Sequence, residues 1–283
     1  MKLAHLSDLH FAAWEWSAKQ FFSKRWIGNL NFIFGRKGNF DYERLSSLPQ
    51  LLLSLQVSTV FITGDLSTTS APAEFAKAQK FTSQFKNLGI EVLSIPGNHD
   101  HYTHSAYKHR LFYQYFPSSW GTGDLKTDGF TAKELEPGLW IVGLDTAIAT
   151  SWLYSTGKFS THTEQALDAW LCSLPASNQV IMINHFPFFQ HEAPRKQLVN
   201  GERLQRLLEK YPLVKMYCHG HTHRKCIAPL QANNLPLILD PGSTASYKNG
   251  GWYLIDATFH NYHIQHYEWK EGIWVQAEKY ELV

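Results

Sequence analysis

Val57-Ser58-Thr59-Val60-Phe61-Ile62-Thr63-Gly64-Asp65 is a short apolar, β-branched run that stops on a glycine and a carboxylate. The residues after it change period. Pro72–Leu88 sets Phe75, Ala78, Phe81, Phe85 and Leu88 on one helical stripe, with Pro72 in the first turn and Gly89 as the stop. A second apolar run, Ile90–Ile95, follows and ends on Pro96-Gly97-Asn98-His99-Asp100. Strand, helix and strand in succession read as an α/β unit.

The same alternation extends in both directions. Lys2–Ser7 reads as a strand and Tyr42–Leu55 as a helix. Leu139–Leu144, Gln179–Asn184, Leu213–Cys218 and Leu235–Leu239 read as further strands. Two more helices are expected between them. Thr161–Ser173 opens with the capping-box spacing Thr161-x-x-Glu164, and Gly201–Lys210 stops at Tyr211-Pro212. Gly251–Asp256, Tyr262–Glu268 and Ile273–Tyr280 make a strand-rich C-terminal part that should add antiparallel strands. Phe116–Gly138, rich in Gly, Pro, Ser and Thr, reads as a long loop. With no internal repeat or low-complexity linker, residues 1–283 read as one domain.

Composition narrows the class. The 283 residues carry 26 Lys+Arg and 24 Asp+Glu, a formal charge of +2, with 44% hydrophobic residues. Neither disorder nor a polybasic nucleic-acid coat fits that balance, so no nucleic acid partner is expected. Three cysteines, Cys172, Cys218 and Cys226, are too few for a disulfide framework and suggest a reducing, cytoplasmic setting. The N-terminus turns polar too soon for a secretory leader. The uncharged run Leu45–Gly64 is interrupted by Pro49, Gln50 and Gln56, so no membrane span is read there.

Fifteen histidines invite a search for metal ligands. Five apolar runs end on metal-capable residues: Asp8 and His10, Asp65, Asn98, His185, and His221 with His223. In open α/β sheets, groups just past the carboxyl ends of strands share one rim. In extended chain, side chains at i and i+2 point the same way, so Asp8/His10 and His221/His223 can each converge. Gly64, Gly97 and Gly220 allow tight turns and close backbone approach directly before the ligands. Two carboxylates and five neutral donors around two divalent cations and a hydroxide would leave a net charge of about +1, suited to an anionic substrate. Mixed N/O donors without thiolate suit manganese first, with iron, zinc or cobalt as alternatives.

The ordered set Asp8-Leu9-His10, Gly64-Asp65, Gly97-Asn98-His99-Asp100, His185 and Gly220-His221-Thr222-His223 resembles the calcineurin-like metallophosphoesterase superfamily, whose pattern is D-x-H, GD, GNH[DE], H and GHxH. The resemblance spans residues 8 to 223. It implies a four-layer α/β/β/α sandwich and a dinuclear metal centre. Asp8, His10 and His223 would hold one ion, Asn98, His185 and His221 the other, and Asp65 would bridge them. A hydroxide between the ions would attack phosphorus, and His99, oriented by Asp100, would protonate the leaving oxygen.

Departures narrow the branch. Leu66-Ser67-Thr68-Thr69 stands where Ser/Thr phosphatases carry an Asp-Arg pair, and Thr68 where purple acid phosphatases carry a tyrosine ligand. His99 differs from the arginine of one group of UDP-diacylglucosamine hydrolases. A bacterial phosphodiesterase-like enzyme acting on a nucleotide-type substrate is the first expectation. A UDP-2,3-diacylglucosamine-type pyrophosphohydrolase at the membrane surface is the second, and a non-catalytic binding module is the alternative from another class. Phe11–Phe40, with nine aromatics and five Lys/Arg against Glu15, keeps open a lipid-linked substrate and peripheral contact with the inner membrane face, as against simple core packing. Arg195 and Lys196 could present cations to a substrate phosphate. His5 reads as a core histidine, and His219 as the end of its strand. His101, His104 and His109 read as a solvated helix start, and His260, His263 and His266 as surface.

Overall fold

The computed structural model describes residues 1–13, 42–151, 153–189, 192–248, 250–258 and 261–282. The chain runs β1 (Lys2–Leu6), α1 (Glu43–Ser54), β2 (Thr59–Ile62), α2 (Pro72–Asn87), β3 (Glu91–Ser94) and a short α3 (His104–Lys108). It continues through β4 (Phe130–Glu136), β5 (Leu139–Leu144), β6 (Gly157–Lys158), α4 (Thr161–Ser173), β7 (Gln179–Ile183) and β8 (Leu198–Val199). Then come α5 (Gly201–Lys210), β9 (Val214–Cys218), β10 (Lys225–Ala228), β11 (Leu237–Pro241), β12 (Gly251–Thr258), β13 (Asn261–Lys270) and β14 (Ile273–Leu282).

Two six-stranded sheets result, ordered β14-β13-β12-β1-β2-β3 and β10-β11-β9-β7-β5-β4. In the first, β1, β2 and β3 are parallel, and β12–β14 form an antiparallel meander joined to β1. In the second, β5, β7, β9 and β11 are parallel, with β4 and β10 antiparallel at the edges.

Period-two alternation sorts the core. Ala4, Leu6, Val60 and Ile62 face a cluster with Leu48 of α1 and Phe75, Ala78 and Phe85 of α2. Val142, Val180, Met182 and Tyr217 face a second cluster with Leu167 of α4 and Leu204 of α5. The opposite faces, with Leu3, Phe61 and Leu93 from one sheet and Ile141, Ile181 and Met216 from the other, meet in a third cluster. The partition is what stacking in the order helix, sheet, sheet, helix requires. Each fully buried Leu, Phe or Ile contributes about 1.5–3 kcal/mol.

Two local expectations need correcting. The cap of α4 is Ser160, one residue earlier than expected, its hydroxyl accepting from the Thr163 amide. Phe116–Gly138 is not all loop. Residues 130–136 form β4, whose inner residues are buried while Lys133 and Glu134 are not, so an edge strand passed for loop composition. Helix α1 lies within the expected span Tyr42–Leu55 and runs through Pro49. Among the described residues no helix is long and apolar enough to cross a bilayer. The aromatic segment beyond Ala13, up to residue 41, lies outside the described residues; its first ring, Phe11, stacks on Tyr42 and contacts Phe81.

Candidate metal centre

The ends of β1, β2 and β3, neighbours in the first sheet, deliver Asp8, His10, Asp65 and Asn98. The ends of β7 and β9, neighbours in the second, deliver His185, His221 and His223. Both sheets thus present their carboxyl ends to one rim. The convergence of Asp8 with His10 and of His221 with His223 does not come from extended chain, as the sequence suggested. All four residues, and Asp65, have left-handed backbone, with φ of 53°, 47°, 69°, 55° and 53°. Close approach explains the glycines. A Cβ on Gly97 would lie 2.2 Å from Asp65 Oδ1, and one on Gly220 would lie 1.9 Å from Ser7 Oγ.

The donors fall into two sets. His223 Nε2 lies 3.1 Å from Asp8 Oδ1 and 3.1 Å from His10 Nε2, and His10 Nε2 is 3.7 Å from the same Asp8 oxygen. Asn98 Oδ1 lies 3.0 Å from His185 Nε2 and 2.9 Å from His221 Nδ1. Between them stands Asp65, whose Oδ2 is 3.8 Å from His10 Nε2 and 3.5 Å from His185 Nε2. The other Asp65 oxygen accepts the His99 amide at 2.7 Å. The cluster is buried except at His221 and His223, which are half-buried, the His223 side chain being 34% exposed.

Neighbouring backbone sets the tautomers. His185 Nδ1 donates to the Thr63 carbonyl at 2.8 Å, turning the Nε2 lone pair inward. His221 Nε2 donates to the Lys196 carbonyl at 2.9 Å, which leaves Nδ1 facing Asn98. Burial pushes both imidazoles below their usual pKa, so they are neutral as ligands must be. Burial opposes ionisation of Asp8, yet the histidines around it, His223 foremost, hold its carboxyl well below the usual range. Neutral imidazoles with aligned lone pairs around ionised carboxylates fit two divalent cations.

His99 packs edge-on against His10, with ring centroids 4.8 Å apart, and its Nδ1 donates to the Thr68 carbonyl at 2.6 Å. Asp100 does not do the orienting that the resemblance implied. Its oxygens accept the amides of Leu66, Ser67 and Gly97 and the Ser67 hydroxyl, tying the loop after β2 to the loop after β3. Asp100 and the His99 ring, adjacent in sequence, point to different partners.

Other histidines divide. His5 is a core residue bonded to Thr63 Oγ1 at 2.9 Å. His104 and His109 are exposed, but His101 is buried, 3.6 Å from Asp145, rather than solvated. His263 is exposed beside Glu281, whereas His266 is buried rather than on the surface, and His260 lies outside the described residues. His219 ends its strand, buried 3.4 Å from Asp240. Arg195 and Lys196 are exposed on a 3-10 turn whose Lys196 carbonyl holds His221.

Sequence reasoning missed the supports. The Ser243 hydroxyl donates to the Asp8 carbonyl at 2.7 Å, and Asp240 accepts the Thr222 hydroxyl at 2.5 Å. The available signal was Asp240-Pro241-Gly242-Ser243, a polar turn closing another apolar run. Thr63, Thr68 and Lys196 act through main-chain carbonyls and left no side-chain signal.

Parallel strands of two sheets bringing carboxylates and imidazoles to one rim define a mixed α/β protein with a candidate dinuclear metal centre. The model of the calcineurin-like phosphoesterase family matches residues 1–225, and the chain belongs to that family. A 3′,5′-cyclic-nucleotide phosphodiesterase from Nostoc sp. is 25% identical over 174 residues, covering 60% of this chain and 57% of that protein. The chain therefore spans little more than half the length of that relative. A glycerophosphodiester phosphodiesterase from Enterobacter lignolyticus is 25% identical over 227 residues, 79% of this chain and 71% of that one. A dimetal phosphatase structure from Danio rerio superposes with a TM-score of 0.69 at 14% identity, covering 99% and 98% of the two chains. A purple acid phosphatase structure from yellow lupin gives 0.66 at 14% identity, over 99% of this chain and 53% of that one. These two likenesses concern the fold.

Proposed function

We propose that the protein is a phosphodiesterase that works with two divalent cations on a small, nucleotide-type phosphodiester. The observation behind this reading is the placement of Asp65 between two donor sets, one oxygen within 3.8 Å of His10 and 3.5 Å of His185. The names of the two sequence relatives support a diester rather than a phosphoprotein substrate. Divalent cations held there would supply Lewis-acid polarisation of a phosphoryl oxygen and a water nucleophile at neutral pH. Mixed N/O donors favour manganese.

The chain's own residues supply the rest. The Thr68 carbonyl keeps a proton on His99 Nδ1, so Nε2 is the nitrogen that gives a proton to the leaving oxygen. Asp100 positions the two loops that carry Asp65 and His99. Arg195 and Lys196, exposed on the turn whose Lys196 carbonyl bonds His221, would offer cations to the substrate's outer oxygens.

Metal content and turnover test the reading together. About two manganese ions per chain and hydrolysis of bis(p-nitrophenyl) phosphate and cyclic nucleotides are expected. A chain that takes up no metal and hydrolyses none of these is a binding module instead. A UDP-linked acylated sugar remains the second reading, favoured by exposed Leu153 and Tyr154 next to Ser155, whose amide bonds the Arg195 carbonyl at 2.9 Å. Release of UMP from such a substrate, with cyclic nucleotides untouched, would establish it.

A further inference from the structure

The donor cluster opens to solvent at His223, and the next residue, Arg224, lines a cavity of about 470 Å³. Lys225, Lys248 and Lys270 bring further cations to its walls, and Tyr247 and Trp269 bring flat rings. Two of the three segments that line it are tied to the metal-site backbone. One continues directly from His223. Another follows Ser243 and Thr244, which hold the Asp8 carbonyl and the Ser7 amide at 2.7 and 3.0 Å. The third, the end of β13, adds His266, Glu268, Trp269 and Lys270.

We propose that this cavity is the subsite for a second phosphate of the substrate, one carried on a ring system, as in a phosphorylated nucleotide diester. The inference rests on the phosphoester reading above and names the substrate's distal part.

Charge and packing support it. Glu192 pairs with Arg224, Glu268 and Glu278 with Lys225, and Glu268 also with Lys270. Among the described residues these pairs hold three cations at the cavity and leave Lys248 without an acidic partner; Glu268 is the one carboxylate in the lining. The Arg44 guanidinium stands 5.6 Å from the Tyr247 ring and 5.7 Å from Trp269, joining the two rings. Tyr247 remains 67% exposed. His266 lines the same cavity at a β-bulge. It is 2% exposed, between the Pro241 backbone and the Glu268 carboxylate, which is 3.5 Å from Nδ1. The volume suits a mononucleotide-sized group.

The direct test is calorimetric titration of AMP, with adenosine and inorganic phosphate as partial probes, into the full chain stripped of metal by EDTA. AMP should bind at least about 10-fold more tightly to the wild-type chain than to Lys248→Glu/Lys270→Glu, and Lys248→Gln should fall between. Manganese-loaded chain should show a KM for pApA at least about 10-fold below that for ApA, a gap the double variant closes while its kcat for bis(p-nitrophenyl) phosphate holds. AMP affinity that ignores both substitutions overturns the subsite, even if the diester is hydrolysed. Loss of all hydrolysis with lysine-dependent AMP binding overturns the catalytic reading and leaves the subsite standing.

Discussion

Asp8, His10, Asp65, His221 and His223 all hold backbone conformations that L-residues adopt at a cost of order 1 kcal/mol or more each. Strain at five residues of the candidate site persists because loop contacts over-determine them. The amide of His10 donates to the Asp65 carbonyl at 2.9 Å, and the amide of His221 to Asp8 Oδ2 at 3.1 Å. Removing the shared carboxylate should matter more than removing an outer support. Asp65→Asn should lower bound metal from about two ions toward one and reduce hydrolysis by more than about 100-fold, checked by elemental analysis beside turnover. His99→Ala should slow alkyl diesters by about 10²–10⁴, with a smaller loss for nitrophenyl esters, whose leaving group needs no proton. Equal losses for both would remove the proton from its account. Asp100→Ala strands four donors and should destabilise the fold by about 3 kcal/mol or more, read by urea unfolding. If Asp100 merely steered His99, stability would hold and only turnover would fall.

At the scale of elements, the loop after β9 depends on a grip from the end of β11, where Asp240 holds Thr222. Thr222→Val should weaken metal binding by about 10–100-fold in a calorimetric titration, with the fold intact by circular dichroism. Most elements were legible because burial on both faces makes a strand an unbroken apolar run, as in β7, and because α2 keeps one stripe of Phe75, Ala78, Phe81 and Phe85. β4 was not, since an edge strand with Lys133 and Glu134 facing out looks like loop. Which residues meet at the rim could be read because their chemistry is in the side chains. Their left-handed backbone could not be, nor the carbonyls that orient His99, His185 and His221, because those properties belong to how distant segments meet. The resemblance implied that Asp100 orients His99; its oxygens instead hold the amides of Leu66, Ser67 and Gly97, a contact between distant loops that the motif does not display.

For the molecule as a whole, the pH response has a definite sign at His266. Burial foremost, then the charge of Lys225, pushes its pKa down to about 4, against about 6.5 in the unfolded chain. Below pH 6.5 the unfolded state takes up a proton that the folded state refuses, so stability is lost as pH falls from about 6.5 to about 4, by up to about 3 kcal/mol. His266→Gln should flatten that part of the curve of unfolding free energy against pH; an unchanged slope would show that the loss arises elsewhere.

The position of β1 has a consequence for biosynthesis. It supplies Asp8 and His10 from the start of the chain, yet it lies between β2 and β12, a strand some 250 residues further along. A nascent polypeptide cannot complete that sheet until the ribosome has made nearly all of these residues. Loading with cations should therefore follow translation rather than accompany it, and a stalled, shortened product should emerge unable to retain them.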